Sequence, residues 1–175
     1  MKFIFKLFTY LFVFILALLV FFPKQSVYNL IEQELAKNKV IISGEKRDEK
    51  LFALDIKDSD IYYEGINVAN VNKTSFESYL VYTKLEIKDI RLLDSFKSMV
   101  PSPISNIKVE YSILDFKNAK IKANGLFGKL NGNIDILNRV ITLELEASSK
   151  MKSSYSKILR QMRLKEGKYL YEYRY

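Results

Sequence analysis

Twenty residues near the N-terminus, Phe3 to Phe22, read FIFKLFTYLFVFILALLVFF, and this run limits everything the rest of the chain is able to become. At about 1.5 Å per residue, a helix of this length reaches roughly 30 Å, the thickness of a hydrocarbon core. Lys6 is its one charge, and Pro23 and Lys24 close it. A secretory signal is cut after small residues, but this run ends in ALLVFF, whose bulky side chains suit no such cut. The sequence therefore predicts a retained transmembrane anchor over residues 1–23. Lys2 and Lys6 flank its short side, so the positive-inside rule leaves the N-terminus in the cytoplasm and exports residues 24–175 as one domain.

The 175 residues include no Cys, no His and no Trp. Disulfides, thiolate zinc sites, imidazole ligands and the Ser-His or Cys-His nucleophile pairs are thereby excluded. With 28 basic against 20 acidic residues, of which only Lys2 and Lys6 precede Pro23, the exported part keeps a mild positive balance. That balance suits anionic lipid or an acidic partner. Nucleic acid is not expected, because Lys and Arg are spread over both faces of the strands.

After the anchor, KQSVYNLIEQELAKNK places Val27, Leu30, Ile31 and Leu35 on one helical face, with Ser26 suited to cap its start. From KVIIS onward the period changes from 3.6 to 2. The segments LFALDIK, DIYYEGINVANV, FESYLVYTKLEIKDIRL, ISNIKVEYSIL, DFKNAKIKANG, GKLNGNIDIL and RVITLELEAS each read as strand. In RVITLELEAS, Ile141, Leu143, Leu145 and Ala147 share one face, while Thr142, Glu144 and Glu146 take the other. One greasy and one wet face indicate an antiparallel sheet covered on one side. Asn124-Gly125, Asn131-Gly132 and Asn138 are expected to turn the chain between successive strands.

Two further helices are expected. LLDSFKSMVPSP suits a short one begun by Asp94, with Phe96, Met99 and Val100 inward. Residues 150–165 suit a longer one, with Tyr155, Ile158, Leu159 and Met162 on its apolar stripe and Gly167 as its stop. Its Lys152, Lys157, Arg160 and Arg163 either face water or touch lipid headgroups or an acidic partner. The chain closes on KYLYEYRY, a strand with Tyr169, Tyr171, Tyr173 and Tyr175 on one face. That face has three readings: a cap on the core, a wall of an apolar groove, or the last strand of an outer-membrane barrel.

Neither the glycines of NGLFGKLNGN nor the acids of DIKDSD have the spacing of a phosphate cradle or a calcium loop. No motif brings two carboxylates together for acid and base work, so catalysis, cofactors and metals are not expected.

The stretch AKIKANGLFGKLNGNIDILNRVITLELEAS, with its pattern G-x-L-x-G-x-I-D-I followed by R-x-I-T-L-x-L, resembles the strand pairs of the type II secretion protein N family and its AsmA-like relatives. The order of anchor, membrane-proximal helix, strands, late helix and final strand is similar too. The resemblance implies a mainly β (α+β) fold, a curved antiparallel sheet forming a half-barrel or trough, on an inner-membrane protein facing the periplasm of a Gram-negative cell. It implies no catalytic residues. It assigns Gly65, Gly125, Gly128 and Gly132 to sharp turns and close backbone approach.

The first functional expectation is a non-enzymatic scaffold or accessory component of a secretion or envelope assembly, with proteins of that machinery as partners. The alternative is a lipid-handling module whose groove takes phospholipid acyl chains along Ile141, Leu143, Leu145, Tyr169, Tyr171 and Tyr173. A small outer-membrane barrel is a further alternative. Unfilled apolar space beside those residues favours lipid, and a filled core favours the scaffold.

Overall fold

The computed structural model describes residues 2–175. The apolar run forms helix α1 (Lys2–Val20), none of whose residues is buried, and Phe21, Phe22 and Pro23 lead into α2 (Lys24–Lys37). The strands follow: β1 (Val40–Ser43), β2 (Lys46–Glu49), β3 (Ala53–Tyr63), β4 (Ile66–Tyr79), β5 (Tyr82–Leu92), β6 (Ile104–Ser112), β7 (Asn118–Gly125), β8 (Gly128–Asp135) and β9 (Val140–Ala147). Two short helices, α3 (Ser149–Ser154) and α4 (Ser156–Leu159), precede β10 (Arg163–Lys165) and β11 (Lys168–Arg174). All eleven strands join one open, curved antiparallel sheet, ordered β1-β3-β4-β5-β6-β7-β8-β9-β11-β10, with β2 also paired to β3. The fold is mainly β, as the alternation predicts.

Several boundaries differ from the sequence reading. DIYYEGINVANV is two strands, because Glu64 and Gly65 both adopt positive φ and turn β3 into β4. FESYLVYTKLEIKDIRL likewise breaks at Leu80 and Val81. The predicted helix over 150–165 stops at Tyr155, whose hydroxyl donates 2.7 Å to the Lys97 carbonyl, and resumes as the single turn of α4. Arg163 lies on β10, and Gly167 completes a second Glu-Gly hairpin turn with Glu166 instead of ending a helix. The short helix in 93–103 is one 3-10 turn, Asp94–Phe96, that leaves Met99 exposed. Asn131-Gly132 is no turn: Gly132 sits inside β8, where an added Cβ would meet the Leu143 Cδ2 at 2.7 Å.

The sheet owes part of its shape to a row of kinks. Asp58, Asn72 and Asp89 lie opposite one another on β3, β4 and β5 and drop out of the pairing, and Asp58 and Asp89 have φ of 56° and 54°. Across this row side chains three apart, Val71 and Thr74 or Ile87 and Ile90, turn to the same apolar cavity.

Helix α2 begins at Lys24, two residues before Ser26, and buries Tyr28, while the expected Leu30 points outward. Tyr28 packs with Leu54, Ile56 and Phe76, all at most 4 % exposed, and Phe22 and Val27 lean on them. Arg47 fastens β2 to this helix: its guanidinium lies 4.9 Å from the Tyr28 ring centre and donates to both Glu32 carboxylate oxygens and to the Asn29 amide oxygen. At the helix start Lys24 is buried, donating to the Phe22 and Leu51 carbonyls at 3.2 Å each and pairing with Glu49 at 3.4 Å. The junction between α1 and α2 is therefore fixed to the β2–β3 loop.

The outer face is wet and laced with ion pairs, such as Lys84 with Glu77 at 2.9 Å and Lys108 with Glu110 at 2.7 Å. One carboxylate there, Asp55, is buried and clasped by Lys50, Lys73 and Ser75. Burial alone would raise its pKa, but the hydrogen bonds from Lys50, Ser75 and Lys73 outweigh it and hold the carboxyl at about 2. Because this folded value lies below the ordinary one, Asp55 stabilises the fold above pH 4 and loses that contribution as pH falls from about 4 through 2. Asp55→Asn is expected to remove about 2 kcal/mol of the difference in stability between pH 5 and pH 2, read as a flattened dependence in denaturant melts of variant against wild type.

Candidate functional site

The inner face of the sheet carries apolar side chains in register from strand to strand. One row steps from Leu54 through Phe76, Leu85 and Val109. It continues through Ile121, Gly132 and Leu143 to Tyr171. A second row, beside it, joins Ile56 and Thr74 to Ile87 and Ile107, then passes Ala123, Leu130 and Leu145 to end at Tyr169. Both rows cross eight strands, and at about 4.8 Å per strand the floor they form runs about 34 Å. One leaflet of a bilayer core is about 15 Å deep, so an extended acyl chain is shorter than this floor.

The floor is covered at its two ends. Helix α2 seals Leu54, Ile56 and Phe76 on one side. On the other, Met151 of α3 and Leu159 of α4 pack on Leu145 and on Phe127, which folds inward from the β7–β8 turn. Val109, Tyr111, Ile121 and Ile134, between these lids, stay partly exposed. The lids do not fill the space beneath them. An apolar cavity of about 270 Å³ lies among Leu130, Leu143, Leu145, Met151, Ile158 and Tyr171. Another of about 250 Å³ lies under α2, beside Tyr28, Ile42, Leu85 and Ile107.

No family model, curated protein or solved structure matches this chain.

Of the residues read from the sequence, Leu143, Leu145 and Tyr171 line the first cavity together. Tyr169 packs against the same cluster. Ile141 and Tyr173 are partners on β9 and β11, one row farther along the strands and outside the cavity, with Tyr173 half-exposed. Lys152, Lys157, Arg160 and Arg163 are all exposed and face away from the cluster that Met151 and Leu159 join. The candidate residues read from the sequence did not include Phe127, Met151 or the middle of the floor, Val109 and Ile121. The middle was detectable from the period-two patterns of β6 and β7, but only strand order places those residues in one row.

Gly132 has a specific part in this floor. Its missing side chain leaves room for Leu143 to lie across β8, which lowers the floor between Ile121 and Leu143. The three-carboxylate or carboxylate–histidine groupings that hold metals do not occur among the described residues.

Proposed function

We propose that this chain is a membrane-anchored trough that accommodates phospholipid acyl chains on the inner face of its sheet. The observation that carries the reading is the continuous apolar floor, open in the middle, with unfilled apolar space under each lid. A sheet meant only as a scaffold gains most by filling such space, since empty apolar volume sacrifices packing and leaves greasy surface in water. Lipid handling thus takes precedence over the scaffold expectation. Helix α1, with mean hydropathy 2.6, supplies the membrane tether in this reading, and the resemblance to AsmA-like troughs points the same way. The periplasmic side of an inner membrane is the proposed location.

The test is a photo-activatable phenylalanine placed in the full chain in native membranes. At Ile121, on the open floor, irradiation is expected to give a phospholipid adduct by mass spectrometry. At Lys122, the next residue and on the wet face, it is expected to give none. Adducts at both positions or at neither would refute the trough.

A further inference from the structure

The two ends of the strands differ in character. In an antiparallel meander, alternate connections fall at the same end, so the β2–β3, β4–β5, β6–β7 and β8–β9 connections share one end. Each of these four carries apolar side chains at its tip, turned to solvent. The β6–β7 connection exposes Leu114 by 87 % and Phe116 by 53 %, and the β8–β9 turn exposes Leu137 by 59 %. Val81 in the β4–β5 turn and Leu51 in the β2–β3 loop are each more than half exposed. Burial of the floor does not explain them, because they lie beyond the strands. The opposite end also exposes apolar residues, among them the paired Tyr63 and Ile66, Met99 and Leu126, but two of its turns, Glu64-Gly65 and Glu166-Gly167, carry only glutamate and glycine at the tip.

The apolar end is also the end at which α1 joins the domain. Lys24, buried and bonded to the Leu51 carbonyl and to Glu49, fixes the junction to the β2–β3 loop. We infer that this rim is a membrane-docking edge: the tips around Leu114, Phe116 and Leu137 enter the interface of the bilayer that holds α1. Apolar side chains grouped on one edge are the usual mark of a membrane or protein contact, and the tether supplies the membrane. Lys117, whose ammonium lies 5.8 Å from the Phe116 ring centre, and Arg139 flank these tips, where their stems share the apolar layer and their charges meet headgroups. Lys152, Lys157, Arg160 and Arg163 belong to the far end, away from that surface. In this arrangement one lip of the trough lies on the membrane along its length, and acyl chains pass between bilayer and floor over that lip.

The inference rests on α1 being a retained anchor, and its test reports on both. The chain lacks Trp, so a single introduced one is its only indole. Leu114→Trp, Leu137→Trp, Ile66→Trp and Phe12→Trp are made in the full chain and reconstituted into phosphatidylcholine–phosphatidylglycerol vesicles. Leu114→Trp and Leu137→Trp are expected to show blue-shifted emission quenched by phospholipid brominated near the top of its acyl chains. Ile66→Trp is expected to keep its aqueous maximum, and Phe12→Trp to be quenched by deeper bromines. Aqueous emission at Leu114 and Leu137 beside a quenched Phe12 would overturn the docking edge and leave the anchor standing. An unquenched Phe12 would overturn the anchor itself.

Discussion

Gly128→Ala is expected to destabilise the chain by roughly 3–5 kcal/mol, among the largest losses a single residue gives. Gly128 opens β8 at φ 116°, a conformation L side chains rarely adopt. An added Cβ would lie 2.1 Å from the Glu146 carbonyl oxygen and 2.8 Å from the Ser148 amide nitrogen, both backbone atoms that have no rotamer by which to yield. Relief would require β8 and β9 to part where α3 begins, and Ser148 there both caps α3 through Met151 and donates to the Leu126 carbonyl. The lid over Leu145 would loosen with it. At about 2–4 °C per kcal/mol for a domain of this size, a thermal melt followed by circular dichroism should fall by about 10 °C. Gly65→Ala is the informative control. Its φ of 83° is also positive, but nothing lies within 4 Å of the added carbon, so only about 1 kcal/mol is expected. Equal losses at the two positions would show that backbone conformation, and not the close approach of β8 and β9, sets the cost.

Ile121→Asp is expected to abolish lipid retention while leaving the fold intact. Ile121 lies mid-floor, paired with Val109 and Gly132, and is partly exposed. A carboxylate placed there stays hydrated, and the fold loses only the partial burial of one aliphatic side chain, about 1 kcal/mol. Once an acyl chain covers the position, that carboxylate must shed water without a partner, at a cost of several kcal/mol. Each 1.4 kcal/mol is tenfold in affinity, so binding should weaken by about 100-fold or more. Lys122→Asp makes a similar charge change on the wet face and should leave lipid retention unchanged. A site at Leu145 would make a poorer test, since that side chain is 3 % exposed and a charge there attacks the fold first.

The sheet was legible in the sequence because its inner and outer residues alternate cleanly over long stretches, as in β6 and β9. Leu143, Leu145 and Tyr171 were legible as lining one side for the same reason: β9 and β11 each alternate with period two and present one greasy face, although Tyr171 and Tyr173 stay exposed at its rim. The Glu166-Gly167 hairpin was hidden, and the Glu64-Gly65 turn was marked only by its glycine within a segment that reads as one strand, because glutamate is an uncommon residue at positive φ. The broken helix after Ser149 misled for a different reason. Tyr155, Ile158, Leu159 and Met162 do share one packed face, but two short helices and a turn present that face as well as one helix would. The floor itself is a property of register across eight strands, which local pattern does not contain. Nor does local pattern tell that four turns with greasy tips fall at the end where α1 meets the sheet.

The most direct test of the trough is lipid analysis of the full chain, extracted from native membranes in mild detergent and examined by native mass spectrometry and lipid extraction beside Ile121→Asp. The account predicts phospholipid in fixed proportion to the wild-type chain after detergent exchange, and its loss from the variant at unchanged circular dichroism. A folded wild-type chain free of lipid, or equal lipid on both chains, would contradict it.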